Sequence, residues 1–176
     1  MPTGFGYDTY AAAGEFAKLT TVQKDQVILK AIVIDDAEQA RFAGLQRLEL
    51  GNLPDDYPIP TFLEDVGARK AAALALTEHG ENEIRGNINL DKKALLFFSI
   101  PFDVGWSARV DGQPARLEKV DFGLTGILLD KGAHSIELSF RPRFLTLGLI
   151  VSALALLTFV ALLGWTRVQR REPVAA

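Results

Sequence analysis

The sequence predicts a mainly β chain: an antiparallel, sandwich-like domain with some N-terminal helix, followed by one C-terminal transmembrane helix. Three observations carry this. Apolar and polar residues alternate with a period of two through most of residues 83–140. An Asp-Gly pair sits between two such segments. An uncharged apolar run fills residues 144–165.

The alternation comes first. In IRGNINL, Ile84, Ile88 and Leu90 alternate with Arg85, Asn87 and Asn89. In WSARV, Trp106, Ala108 and Val110 share one face, and in HSIELSF, Ile136, Leu138 and Phe140 do the same. Successive side chains of a strand point to opposite faces, so each pattern describes a half-buried strand. LLFFSI, at 95–100, is apolar throughout and reads as a central strand buried on both faces. Asp111-Gly112 is a two-residue hairpin signal, because a type I′ turn needs positive φ at both central positions. Lys131-Gly132 marks a second turn before the last strand.

Phe144 and Trp165 bound the run FLTLGLIVSALALLTFVALLGW. About 20 apolar residues cross a bilayer core of about 30 Å. The Thr and Ser hydroxyls can bond back to their own helix, and Trp165 stands where an indole favours the interface. The expected organisation is a soluble domain over 1–143 with its core at 83–140, a span at 144–165 and a cytoplasmic tail at 166–176. Arg167, Arg170 and Arg171 follow the span and Arg141 and Arg143 precede it. The positive-inside rule then places the C-terminus in the cytoplasm and the β domain outside it. The N-terminus shows neither a basic region nor an apolar core of a signal peptide.

The first 80 residues are less periodic. TVQKDQVILKAIVI reads as a helix with Thr21 as a plausible N-cap, while its end, AIVI, reads equally as a strand. NLPDDYPIP is an extended connector, and the Ala-rich FLEDVGARKAAALALTEHG is either a helix or a surface segment.

The chemistry is sparse. Net charge is −3, which provides no basic footprint for nucleic acid. Cysteine is absent, so disulfides, thiolate metal sites and cysteine nucleophiles are excluded. His79 and His134 lie far apart in sequence, and Asp35-Asp36 and Asp55-Asp56 read as turn or cap residues rather than as paired catalytic acids. Asp103, in PFDVGW, reads as a turn initiator. No cofactor, metal or catalytic residue is expected. Among the aromatics Phe5, Tyr7, Tyr10, Phe102, Trp106 and Phe122, the sequence nominates Trp106, Tyr7 and Tyr10 as candidate glycan contacts. Trp106 also falls on the apolar face of its strand, which favours core burial.

Several segments together resemble the C-terminal end of the YfhO family of bacterial membrane proteins. These are FSIPFDVGW, the VDG hairpin, LLDKGAHSIELSF and the FRPRF junction with the helix, with GFGYDTY, FAKLT, ILKAIVIDD and ENEIRGNINLD upstream. Two places depart from the family: VDFGL stands where a more Gly-rich turn is usual, and Arg143 stands where a second proline is common. The resemblance implies a larger polytopic parent in the bacterial cell membrane, of GT-C glycosyltransferase type, which modifies cell-envelope glycopolymers from a lipid-linked sugar donor. This chain would supply a non-catalytic extracytoplasmic domain and the last helix. Its implied partners are the lipid bilayer, upstream membrane helices of the same or a split protein, and the glycopolymer or lipid-linked sugar. The alternative is a stand-alone anchored β domain with a glycan-binding or structural role.

Overall fold

A computed structural model describes residues 4–169. The chain divides into two units, one ending at Phe140 and the other beginning at Arg141.

The first unit is a stack of sheets. Five antiparallel strands form one sheet in the order β5-β6-β12-β8-β9: β5 (Ala75–His79), β6 (Glu83–Leu90), β8 (Trp106–Val110), β9 (Gln113–Ala115) and β12 (Gly132–Phe140). Four antiparallel strands form the next, β1-β7-β11-β10: β1 (Gly4–Tyr7), β7 (Ala94–Pro101), β10 (Glu118–Val120) and β11 (Leu124–Leu129). Ile84, Ile88, Ile136 and Leu138 from one sheet meet Leu96, Phe98, Ile127 and Leu129 from the other in a single core cluster. This is the expected sandwich. Ile136 and Leu138 are fully buried, and each such side chain stabilises the fold by roughly 1.5–3 kcal/mol. In β6 the exposed residues are Arg85, Asn87 and Asn89, as the alternation requires.

β7 is central and has apolar residues on both faces for a specific reason. Leu96 and Phe98 point into the sandwich, while Leu95 and Phe97 point the other way into a second cluster with Tyr7, Tyr10, Ile32, Ile34 and Phe42. That second cluster lies against a sheet the sequence did not lead us to expect. β2 (Thr9–Ala12), β3 (Ile32–Ile34) and β4 (Gln46–Arg47) are parallel, in the order β3-β2-β4. Parallel neighbours need a crossover, supplied between β2 and β3 by α1 (Ala13–Phe16) and α2 (Thr21–Lys30). Val33 faces away from the second cluster and packs with Ala11, Phe16 and Val27 in a third. The ambiguous AIVI is thus a strand, and the helix before it begins at a capping box on Thr20, one residue before the expected cap. Thr20 and Gln23 exchange the two bonds that satisfy free N–H groups of the first turn.

A 3₁₀ turn (Asp36–Phe42) follows β3, and α3 (Ile59–Ala71) opens after the proline-rich connector. The Ala-rich stretch therefore resolves into the end of a helix and the strand β5. Asp111 and Gly112 both have positive φ (53° and 78°), and Val110 pairs with Gln113 across them, which is the expected two-residue hairpin.

The second unit is one helix, α4 (Leu145–Gln169). Leu145–Trp165 is long and apolar enough to cross a membrane, and none of it is buried within the structure. Phe144 immediately precedes it, accepting from the Gly148 amide at 2.8 Å, and Trp165 is exposed near its far end. Thr158 donates its hydroxyl to the Leu154 carbonyl at 2.9 Å, so the polar group is satisfied inside the helix. Arg170 and Arg171, which the tail assignment uses, lie outside the described residues.

Candidate functional site

The nominated aromatics do not form one platform. Tyr7 and Tyr10 are buried in the second core cluster, whereas Trp106 packs against the first. Tyr7 donates its hydroxyl to the Ile28 carbonyl at 3.0 Å and lies under the Arg69 guanidinium, 4.4 Å from the ring centre. Burial pushes its phenol up to about 12, against the opposing charge of Arg69. Trp106 is half-buried, with its ring 5.0 Å from that of Phe140 on the neighbouring strand.

Of the acidic pairs, Asp35 takes the cap role expected of it, while Asp36 and Asp55 instead tie together segments distant in sequence. Asp35 caps the 3₁₀ turn by accepting from the Ala37 amide at 3.0 Å, and Asp36 accepts from Gly14 at 3.1 Å. Asp55 accepts from Gln23, and Asp103 accepts from Gly105 within its own turn. Among the described residues, no three His, Asp or Glu side chains converge as metal ligands.

His134 is better connected than its sequence context suggested. Its Nδ1 lies 2.8 Å from the Asp111 carboxylate and its Nε2 lies 3.0 Å from the Asp130 carbonyl. Both partners are acceptors, so the arrangement favours the charged imidazolium, in which both ring nitrogens donate. Asp111 accordingly raises the pKa of His134, while His134 and the Ser135 amide lower that of Asp111. With both nitrogens engaged, the pair ties a hairpin to the start of β12 and leaves no free base.

The most unusual local geometry lies in the three-residue turn between β10 and β11. Asp121, Phe122 and Gly123 all have positive φ, at 44°, 62° and 151°. Asp tolerates this region, but for a bulky residue such as Phe it is an outlier, at a cost of roughly 1–2 kcal/mol. The surroundings hold the turn in place. Asp121 takes both backbone groups of Val33: its carboxylate accepts from the amide at 2.7 Å, and its own amide donates to the carbonyl at 2.8 Å. The Gly123 amide donates to Val120 at 3.0 Å, and Gly123 accepts from the Phe102 amide at 2.8 Å. Burial raises the Asp121 carboxyl to about 6, although the Val33 amide favours its charge.

Phe122 is 69% exposed and leans on Phe16, with ring centres 5.8 Å apart. It forms one wall of a groove of 410 Å³ whose other walls include Val33, Asp35, Glu38 and Lys119. Glu38 is steadied by Arg41 at 2.7 Å, and Arg41 also pairs with the buried Glu118 of β10. This turn was not legible as a site. Its aromatic-Gly sequence was visible, but its anchor, Val33, lies 88 residues away along the chain.

Residues 56–152 match the family model described as bacterial membrane protein YfhO. A protein of Bacillus subtilis (strain 168), described as uncharacterized protein YfhO, is 29% identical over 80 residues, which is 46% of this chain and 9% of that relative. The chain thus corresponds to a small part of the relative's length. No solved structure matches. The family match covers more than half of the chain and runs from α3 through the sandwich strands into α4, so the chain belongs to the YfhO family of bacterial membrane proteins.

Proposed function

We propose that this chain acts as the non-catalytic C-terminal domain and last helix of a polytopic membrane protein, a GT-C-type glycosyltransferase that modifies cell-envelope glycopolymers. The β domain lies outside the cytoplasm, where it braces catalytic loops or holds the acceptor polymer near the membrane. One observation carries the reading: the family match is continuous from soluble strands into an apolar helix, yet the aligned stretch is only 9% of the relative. A short piece with one span fits the end of a much longer membrane chain. Arg167, Arg170 and Arg171 after the span support a cytoplasmic C-terminus.

Two experiments test this. An antibody against the peptide after Trp165 is expected to detect, in native membranes, a band far above 19.2 kDa. A band at the chain's own size favours a stand-alone anchored module instead. In the full-length protein, with every cysteine outside this chain replaced by serine, a single Glu81→Cys substitution reports sidedness. An impermeant maleimide is expected to label it in intact cells, and labelling only after lysis would place the domain inside. The purified chain is expected to transfer no sugar from a polyprenyl-linked donor, and transfer by it would overturn the non-catalytic assignment.

A further inference from the structure

Phe122 combines two properties that rarely coincide. Its backbone occupies the left-handed region, where glycine would be at ease, and its ring stays mostly in water. Core packing therefore does not explain why an aromatic stands there. Strain held in place by surrounding bonds is a pointer to function, and here the bonds from Asp121 and Gly123 fix the turn. The Phe16 ring braces that of Phe122, tilted by 45° with ring centres 5.8 Å apart. The Phe122 ring borders a groove lined also by Asp35, Glu38 and Lys119, where Asp35 already accepts from the Ala37 amide and Glu38 pairs with Arg41.

We propose that this groove binds a carbohydrate, a gluco-configured pyranose seated on the Phe122 ring with hydroxyls addressed by Asp35, Glu38 and Lys119. The chemistry selects this class. A pyranose with all hydroxyls equatorial has flat C–H faces that suit an aromatic ring, and its rim of hydroxyls both donates and accepts. Carboxylates only accept and an ammonium only donates, so the groove offers acceptors for hydroxyl protons and a donor to hydroxyl oxygens. An anionic ligand meets two carboxylates against one ammonium. A peptide strand cannot extend the sheet at Val33, because Asp121 already occupies both backbone groups there.

The inference deepens the function proposed above by giving the domain a handle on its polymer, and it rests on that reading only for the natural source of the sugar. Its test needs neither the parent protein nor any transfer reaction, so the two fail separately. The full chain in lipid nanodiscs is titrated with cellotetraose, and saturation transfer from protein to sugar protons is measured by NMR. Transfer is expected to the wild type and to Phe122→Tyr. Phe122→Gly keeps the turn and relieves its strain, so it is expected to melt no lower than the wild type while binding at least about fivefold more weakly. No transfer to a folded wild type would overturn the proposal. So would a Phe122→Gly variant that binds cellotetraose as tightly as the wild type, or binding of a glycerol-phosphate oligomer in place of the sugar.

Discussion

Replacing Asp121 by Asn should stabilise this protein at neutral pH. Asp121 is buried enough that its carboxyl titrates near 6 rather than 3.8, with desolvation outweighing the bond from Val33. In the unfolded chain the same group loses its proton near 3.8. Between these values the folded state holds more protons than the unfolded state, so stability falls as pH rises through the window and is flat above it. A shift of about two units corresponds to roughly 3 kcal/mol at full effect, which the side chain's partial exposure reduces to about 1–2 kcal/mol. Asn keeps an oxygen to accept from the Val33 amide, carries no charge to desolvate, and tolerates a positive φ. The assay is thermal unfolding of the full chain in nanodiscs, followed by tryptophan fluorescence from pH 4 to 8. The variant is expected to gain about 3–8 °C at pH 7.5, to match the wild type near pH 4, and to lose the slope between. A variant that melts lower at pH 7.5, or one whose gain is the same at pH 4, would refute the argument that the buried charge sets this cost.

Three further outcomes are expected. The imidazole of His134 should titrate above its ordinary value, and Asp111→Asn should return it toward that value, as read by NMR of the ring protons. The bond is fully present below the unfolded pKa of histidine and is lost as pH rises through the raised folded value; the Asp111 contribution is lost at the acid end, as pH falls through its lowered value. Gly86→Ala should destabilise the sandwich by about 2–3 kcal/mol in chemical denaturation, because the new Cβ would stand 2.7 Å from the Ala75 carbonyl and 2.8 Å from Leu74 Cγ. Leu156→Arg, in the middle of the apolar helix, should cost about 3 kcal/mol of insertion and reduce the fraction that resists alkaline extraction from membranes.

What the sequence revealed depended on whether the governing contacts were local. The alternation in β6 and β12, the Asp111-Gly112 hairpin and the apolar helix are short-range patterns, and each is present in the structure. LLFFSI could be read as central because both its faces are covered, though nothing nearby in the chain showed that the second cover is a parallel sheet. That sheet is built from strands of two to four residues, too short for any period to register. The groove beside Phe122 was hidden for the same reason. It exists because Asp121 clasps Val33 across 88 residues, and a single sequence carries no mark of that pairing.

The position of β12 has a consequence for how the chain is made. It is the last strand to be synthesised, yet it lies third of five in its sheet, between β6 and β8. Until residue 140 is available, β5-β6 and β8-β9 are separate hairpins with no shared hydrogen bonds. A growing chain adds roughly 5–20 residues per second, so the two hairpins of this sheet wait for the strand that joins them, and that strand directly precedes the apolar helix. That sheet therefore cannot ripen strand by strand. Its two hairpins stay unjoined until β12 has been made and can pair with both β6 and β8.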